Sequence, residues 1–466
     1  MFKQKICIVF LVLFVPVFAG QESTPFISNQ SLHNSMELML EYHVEYKSFS
    51  PLLAKRSLKT YIEQFDPYKM YLTQNEVDLY TRITERKLEE VVEGYKHESY
   101  KVYEELNSVI QAAILRAREI RKALRPHILK QNLSLTQDET DRFAKSLQDL
   151  KKKINNRLVS FLSSEKKWEE VSDFNEEQRT RLLDLWEERL ERMEKPYLEH
   201  LGSYHFPMHI LKAFAKSLDA HSSFFSVEEA YDLKTALEKQ FEGIGIVLRE
   251  GLQGVVIKNL IKSGPAEKTG KIQKGDLLLA INGKSVVSLA YEEVLARLKG
   301  SKGQKVTLLL KRGEQEPFEV AIVREKIVME EERVHYSTAT SDSGTIGKIE
   351  IPSFYESEDG TSCASDLKEA IAELRSQGPL AGLVIDMREN SGGFLSQAVK
   401  VSSLFMSGGV VVVSKYSEGQ MQYLRNTDGR IFYEGPLVIL TSKASASAAE
   451  IVAQALQDYG IAVIVG

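Results

Sequence analysis

Apolar and polar positions fall into three successive patterns along the chain. From about Ser23 to Ala236, Glu, Lys, Arg and Leu dominate, and apolar residues such as Val102, Leu106, Val109, Ala113, Ala117, Ile120 and Leu124 recur every three or four positions. That period predicts amphipathic helices whose charged residues form solvated faces. A second strong helix is expected through QRTRLLDLWEERLERME, and Pro126 and Pro196 should terminate their helices because proline has no amide to continue the ladder. From about Phe241 to Arg324 the pattern shortens to β-branched runs punctuated by glycine: GIGIVL, GVVIKNL, GDLLLAINGKSV and QKVTLLLKR, with one helix, AYEEVLARLKG, between them. Asn282-Gly283 predicts a tight hairpin turn, and KSGPAEKTG a short helical turn. From about Ser343 strands and helices alternate: GTIGKIEI, the helix CASDLKEAIAELRSQG, LAGLVIDM, the helix LSQAVKVSSLFM, GGVVVVSKY, GRIFYEG, PLVILTS, a helix after Ser447, and IAVIVG. Continuous apolar strands joined by helices predict an α/β layer.

One motif recurs within the first region. FDPYKMYLTQNE and LDAHSSFFSVEE share an apolar-Asp pair, two apolar or aromatic residues five and six positions after the Asp, and a capping box, Thr73 with Glu76 or Ser226 with Glu229. Both predict a turn leading into a helix, and His221 beside Asp219 is read as a turn residue.

A chain of 466 residues is long enough for about three domains. Its net charge of -5 supplies no global basic field, which disfavours general nucleic-acid binding. At the N-terminus, Lys3 and Lys5 precede an apolar run from Ile6 to Val15 and then Val17-Phe18-Ala19, the form of a secretory signal cleaved after Ala19. Export to the periplasm is therefore expected, with an uncleaved anchor and peripheral membrane association as the lesser alternative. Of the two cysteines Cys7 sits in the signal, so the mature chain keeps Cys363 alone, read as a small buried apolar residue. No metal-ligand spacing or phosphate loop is present, so no cofactor is expected.

Two stretches carry candidate chemistry. In FEGIGIVL, Gly243 and Gly245 alternate just before a strand, where missing side chains let a second backbone approach and leave amides to face an anion. A peptide added as an extra strand, its carboxylate on those amides, is one reading; a bulge is the other. In VILTSKASASAAEIVAQALQDYG, Ser447 and Glu450 form a capping box ahead of a helix that Gly460 ends. The same serine also stands where a strand end meets a helix N-terminus, and ENSGGF, Glu389 to Phe394, follows another strand with two glycines. Amides from both places could hold a developing oxyanion. All nine histidines lie at or before His335, so a serine nucleophile here would need a different base, and a desolvated lysine is the usual substitute. Lys400, Lys415 and Lys443 are not clearly placed for that role.

The order of elements over Glu238 to Arg324, with GPAEKTGKIQKGDLLLAINGKSV as its most specific segment, resembles a PDZ domain. The resemblance implies recognition of protein C-termini or exposed hydrophobic ends, with Gly243, Ile244, Gly245 and Ile246 in the binding loop. GTIGKIEIPSF, LAGLVIDMRENSGGFLSQAV and VILTSKASASAAEIVAQALQDYG together resemble the C-terminal processing peptidases, or tail-specific proteases, of serine peptidase family S41. FDPYKMYL in the helical region is similar to the long tail-specific branch. This resemblance implies a Ser-Lys dyad on a crotonase-like ββα fold, with Ser447 as nucleophile, Asp458 in a supporting role, and an oxyanion hole from the amides of Ala448 and of Gly392 or Gly393. Ala449 stands where the family motif has a third serine, which leaves the nucleophile intact. The family's lysine follows its serine by roughly 25 residues, beyond Gly466, so the peptidase domain is expected to be incomplete at its C-terminus and a polypeptide ending there inactive.

The expected architecture is thus multidomain α+β: a signal peptide at 1–19, a helical domain at 20–236, a PDZ domain at 237–325 and a partial S41 peptidase domain at 326–466. The expected function is an exported serine endopeptidase acting on unfolded or C-terminally tagged polypeptides. A non-catalytic peptide-binding protein is the alternative, and an acyl-CoA enzyme of the same layer fold is disfavoured by the peptide-recognition module and the signal.

Overall fold

The computed structural model describes residues 26–131, 133, 141–168, 171–200, 204–251, 254–287, 289, 291–342, 344–427 and 429–466. The expected signal peptide and Cys7 lie outside the described residues. The chain divides into two units, Met1–Ser226 with Tyr416–Gln420, and Val227–Lys415 with Met421–Gly466. No helix among the described residues is long and apolar enough to cross a membrane.

The described part of the first unit contains helices α1 (Asn29–Tyr42), α2 (Pro51–Phe65), α3 (Gln74–Thr81), α4 (Glu85–Lys96), α5 (Lys101–Ile128), α6 (Leu147–Trp168), α7 (Glu176–Leu198) and α8 (His205–Leu218). Their starts are written locally: the side chains of Ser28, Ser50, Thr84 and Asn175 accept from the third amide of the helix that follows each. Leu106, Ala113, Ala117 and Leu124 of α5 are buried as the spacing requires. Pro126 and Pro196 sit inside the last turns of α5 and α7, two residues before each end, where a proline forfeits a single helical bond. One expectation fails here: not every charge of these helices is solvated. Glu194 of α7 is 1% exposed, accepting from Arg121 (2.9 Å), Arg118 (2.6 Å) and the Tyr71 hydroxyl (2.9 Å). Arg121 also grips Glu187 with two bonds. A buried carboxylate is tolerated only with such partners, and helical spacing cannot reveal them because they come from other helices.

The recurring Asp motif has one structural meaning. Asp66 is buried and accepts from the amides of Met70 (2.7 Å), Tyr71 (2.9 Å) and Leu72 (3.0 Å). Asp219 accepts from the amides of His221 and Ser222, both at 2.7 Å, and from His43 Nε2 at 3.0 Å. Burial alone would raise the Asp219 carboxyl, but the His43 bond and the two amides prevail and hold it well below the usual range. His221 contributes its amide to a turn, as read.

The second unit opens with α9 (Val227–Glu238) and strand β1 (Gln240–Gly243). A sheet in the order β2 (Ile246–Gly251), β3 (Gly254–Leu260), β4 (Leu277–Ile281), β6 (Lys305–Lys311), β7 (Phe318–Val323) follows, with β5 (Lys284–Ser285) paired to β4. Asn282 and Gly283 have φ 51 and 74, the two left-handed residues of a two-residue hairpin. Helices α10 (Pro265–Lys268) and α11 (Tyr291–Leu298) complete the module around a core that includes Ile244, Leu248, Ile257, Leu278, Leu308 and Ile322. The chain leaves through β8 (Glu325–Val328), which pairs antiparallel with β1, so entry and exit are tied in one ribbon.

Next come β9 (His335–Ser341), β10 (Gly344–Glu350), helix α12 (Cys363–Ser376), β11 (Leu380–Asp386), α13 (Leu395–Ser402), β12 (Gly409–Lys415), β13 (Met421–Asn426), β14 (Leu437–Leu440), α14 (Ala448–Asp458) and β15 (Val463–Val465). The main sheet runs β15-β14-β11-β10-β9, parallel except for the β9–β10 hairpin. The strand expected in GRIFYEG is not formed; MQYLRN pairs with β12 instead. Phe432 and Tyr433 give their amides to the Leu404 carbonyl, and the Tyr433 hydroxyl donates to the Pro436 carbonyl, so this apolar run anchors the end of α13 rather than joining a sheet.

Candidate active site

Parallel strands deliver their C-terminal ends to one side of the sheet, where the loops after β11 and β14 meet. Hydroxyls of the serine-rich stretch fasten the two loops: Ser442 Oγ donates to the Arg388 carbonyl (2.5 Å) and Ser445 Oγ to the Met387 carbonyl (2.8 Å). The chain then reaches Ser447 with φ 54 and ψ -118. Six other polar N-cap residues, Ser28, Ser50, Thr73, Thr84, Asn175 and Ser362, are all extended, with φ between -71 and -155. A helix cap requires only the extended form. Ser447 instead stands at positive φ in a strand-to-helix turn, and such strain collects at functional sites.

Gly392 lies against this turn. A Cβ placed on it would stand 2.7 Å from Ser447 Cβ, 3.1 Å from the Ala446 carbonyl oxygen and 3.2 Å from the Ala448 nitrogen. Gly393 is as confined, for its Cβ would fall 2.3 Å from the Phe354 carbonyl oxygen at φ 143. The two glycines differ in what their amides do. Gly392 N–H donates to Asn390 Oδ1 at 2.8 Å and is already used. Its carbonyl accepts from the Phe354 amide at 2.9 Å, and because a trans peptide points C=O and N–H in opposite directions, the Gly393 N–H faces away from Phe354. That N–H has no acceptor among the described residues, and neither has the N–H of Ala448, whose preceding carbonyl is held by Ile451 at 3.1 Å. Of the two glycines expected to offer an amide, Gly393 has one free and Gly392 does not.

Glu450 accepts from the Ser447 amide at 2.7 Å and the Ser447 side chain faces the Glu450 amide, so both halves of the expected capping box are present. Asp458 is not brought to Ser447. It is exposed at the far end of α14, roughly 16 Å along the helix, and accepts from Gln454 at 2.7 Å. Lys400 pairs with Glu356 at 2.7 Å and Lys443 is exposed. Among the described residues no lysine amine hydrogen-bonds to Ser447. Cys363 is fully buried, with its thiol pushed well up by burial and then by Asp366, which makes it inert as a nucleophile. No three His, Cys, Asp or Glu among the described residues are grouped to hold a metal.

The second predicted site lies between β1 and β2. The carbonyls of Ile244 and Gly245 are taken by the amides of Ala266 and Ile261, both at 2.9 Å, while the Ile244 and Gly245 N–H groups have no acceptor among the described residues. Gly245, at φ 76, adopts the left-handed form that turns these amides together, and its Cα side abuts Gly264. Beyond it β2 is the sheet's edge. Ile257, opposite Leu248, spends its N–H on Asp276 and its carbonyl on Gly275, both in the β3–β4 direction. Leu248 therefore turns its own N–H and C=O outward, and sequence reasoning missed what meets the carbonyl: the Tyr291 hydroxyl of α11, at 2.8 Å.

Comparisons with known proteins follow the same order. Residues 35–228 match the tail specific protease N-terminal domain, residues 232–311 the PDZ domain, and residues 345–466 peptidase family S41. The tail-specific protease of Haemophilus influenzae is 28% identical over 335 residues, covering 70% of this chain and 45% of that protein. The carboxy-terminal-processing protease of Bartonella bacilliformis is 29% identical over 301 residues, 64% of this chain and 67% of that protein. The carboxy-terminal processing protease CtpA of Bacillus subtilis is 33% identical over 258 residues, 55% of this chain and 53% of that protein. The chain thus spans between 45% and 67% of the length of these relatives. Its three regions match in order the tail specific protease N-terminal domain, the PDZ domain and peptidase family S41, and the curated relatives it is similar to are tail-specific and carboxy-terminal processing proteases.

Proposed function

We propose that the protein is an exported serine endopeptidase of the tail-specific type. The edge of β2 and the amides of Ile244, Gly245 and Ile246 bind a substrate's C-terminal residues, and Ser447 attacks the scissile carbonyl. The reading rests above all on one observation: the Ser447 backbone, at φ 54, departs from the extended form of the other polar caps at a place where the amides of Ala448 and Gly393 are without acceptors among the described residues. An acyl transfer needs such donors, because negative charge gathers on the carbonyl oxygen as the tetrahedral intermediate forms, and one donor contributes on the order of 10²–10³ in rate. The base in this reading is a lysine, held neutral by burial, at the family spacing of roughly 25 residues after the serine. Binding without catalysis is the second reading, favoured by the absence of a hydrogen bond from any lysine amine to Ser447 among the described residues.

The substrates in this reading are unfolded or C-terminally tagged polypeptides. The deciding experiment compares the gene product and its Ser447→Ala variant on an unstructured protein with an apolar C-terminus. Cleavage should vanish in the variant while anisotropy titration with the matching labelled peptide stays unchanged. Cleavage that survives Ser447→Ala removes the catalytic assignment, and wild-type protein that binds the peptide without cutting anything supports the second reading.

A further inference from the structure

Two amides around Ser447 come from different loops, so something must set the distance between them. Asn390 is fully buried, and its bonds reach every loop concerned. Its Oδ1 accepts from Gly392 N–H at 2.8 Å, its Nδ2 donates to the Ile351 carbonyl after β10 at 2.9 Å, and its own carbonyl accepts from the Ala446 amide at 3.1 Å, the residue before Ser447. A fourth bond, from its amide to the Met387 carbonyl at 3.1 Å, ties it to the end of β11. We infer that Asn390 is a positioning residue that registers the Gly393 amide against Ser447 and Ala448. The inference rests on the reading of Ser447 as a nucleophile.

The chemistry accounts for the residue type. The site requires an acceptor for Gly392 and a donor for Ile351 on two separate atoms of one short side chain, and the asparagine amide supplies both without charge. By engaging Gly392, the side chain also selects which of two adjacent glycine amides stays free. An unsatisfied group in so dry a place would drive rearrangement of the loop rather than remain. Asn390 touches none of the reacting atoms, so its loss should misplace the amide from Ser447 without altering the groove that binds peptide.

The experiment has two arms. In the first, amide hydrogen exchange is measured on the purified protein and on Asn390→Ala. Exchange over 388–394 and 442–448 should quicken together by at least about tenfold, while β2 and β3 of the PDZ domain are unaffected. If only one of these loops quickens, or neither, Asn390 does not register them and the inference falls. Should Asn390→Ala not fold, the same comparison is made on Asn390→Asp.

In the second arm, Asn390→Asp is assayed for Ser447-dependent cleavage. Its carboxyl, dry and facing a carbonyl oxygen, would have a raised pKa, and the protonated acid restores both bonds. The ratio of its kcat to that of wild type should therefore climb by about fivefold or more between about pH 7.5 and about pH 5.5, with KM within about twofold. A flat ratio, or an effect confined to KM, overturns the inference. Wild-type protein without Ser447-dependent cleavage defeats the proteolytic reading instead, and the exchange arm then decides the role of Asn390 by itself.

Discussion

At the scale of single residues, Ser447 carries both a capping pattern and the nucleophile of the proposed function. Ser-x-x-Glu satisfies a helix N-terminus whether or not the serine reacts, and Glu450 does accept from the Ser447 amide. The dihedrals bear on the two meanings, since a cap gains nothing from φ 54 and such backbone strain collects at functional sites. This difference is measurable. Ser447→Gly should stabilise the second unit by ~1 kcal/mol, because glycine adopts this conformation without strain and the lost cap is worth less. Ser362, an ordinary cap with φ -155, should lose a few tenths of a kcal/mol in Ser362→Gly. Urea unfolding of both variants tests the contrast, and equal losses would mean that Ser447 is only a cap.

At the scale of elements, the edge strand β2 has its recognition groups in place but one of them is engaged from within. The Tyr291 hydroxyl of α11 donates to the outward carbonyl of Leu248, where the N–H of an added strand would pair. An incoming peptide competes with that hydroxyl for the same carbonyl. Removing a hydrogen bond of this kind is worth about 1 kcal/mol, so Tyr291→Phe should tighten binding of an apolar C-terminal peptide by roughly fivefold. Anisotropy titration reads this directly, and unchanged or weaker binding would show that the bond does not compete with the peptide. The strand and the glycine loop were legible from the alternation in GIGIVL. Tyr291 was not, because nothing local in AYEEVLARLKG states which carbonyl across the groove its first turn will reach.

At the scale of the whole molecule, the chain divides into two units, and Cys363 lies in the second. Its thiol is fully buried and pushed up by burial, so a thiol reagent at mildly alkaline pH should label it only when α12 leaves the sheet. Labelling should therefore accelerate steeply with urea and track the loss of the second unit's structure by hydrogen exchange. Rapid labelling in native buffer would mean that the α12 packing opens far more readily than its burial implies.

Local physics made much of this protein readable in advance. A period of three to four residues marks the helices of the first unit, glycine-punctuated β-branched runs mark the PDZ sheet, and continuous apolar strands mark the parallel layer, because each pattern states which face must be dry. The loops carrying Ser447 and Gly392-Gly393 were legible as strand-to-helix turns rich in small residues. What the sequence could not state is how groups far apart along the chain meet. The ion pairs around Glu194, the engagement of Gly392 by Asn390, the distance of Asp458 from Ser447, and the pairing of MQYLRN in place of GRIFYEG all depend on which surfaces close against each other. Hydrogen-bond partners of buried polar groups are chosen by proximity in the folded chain, and only the tertiary structure sets that proximity.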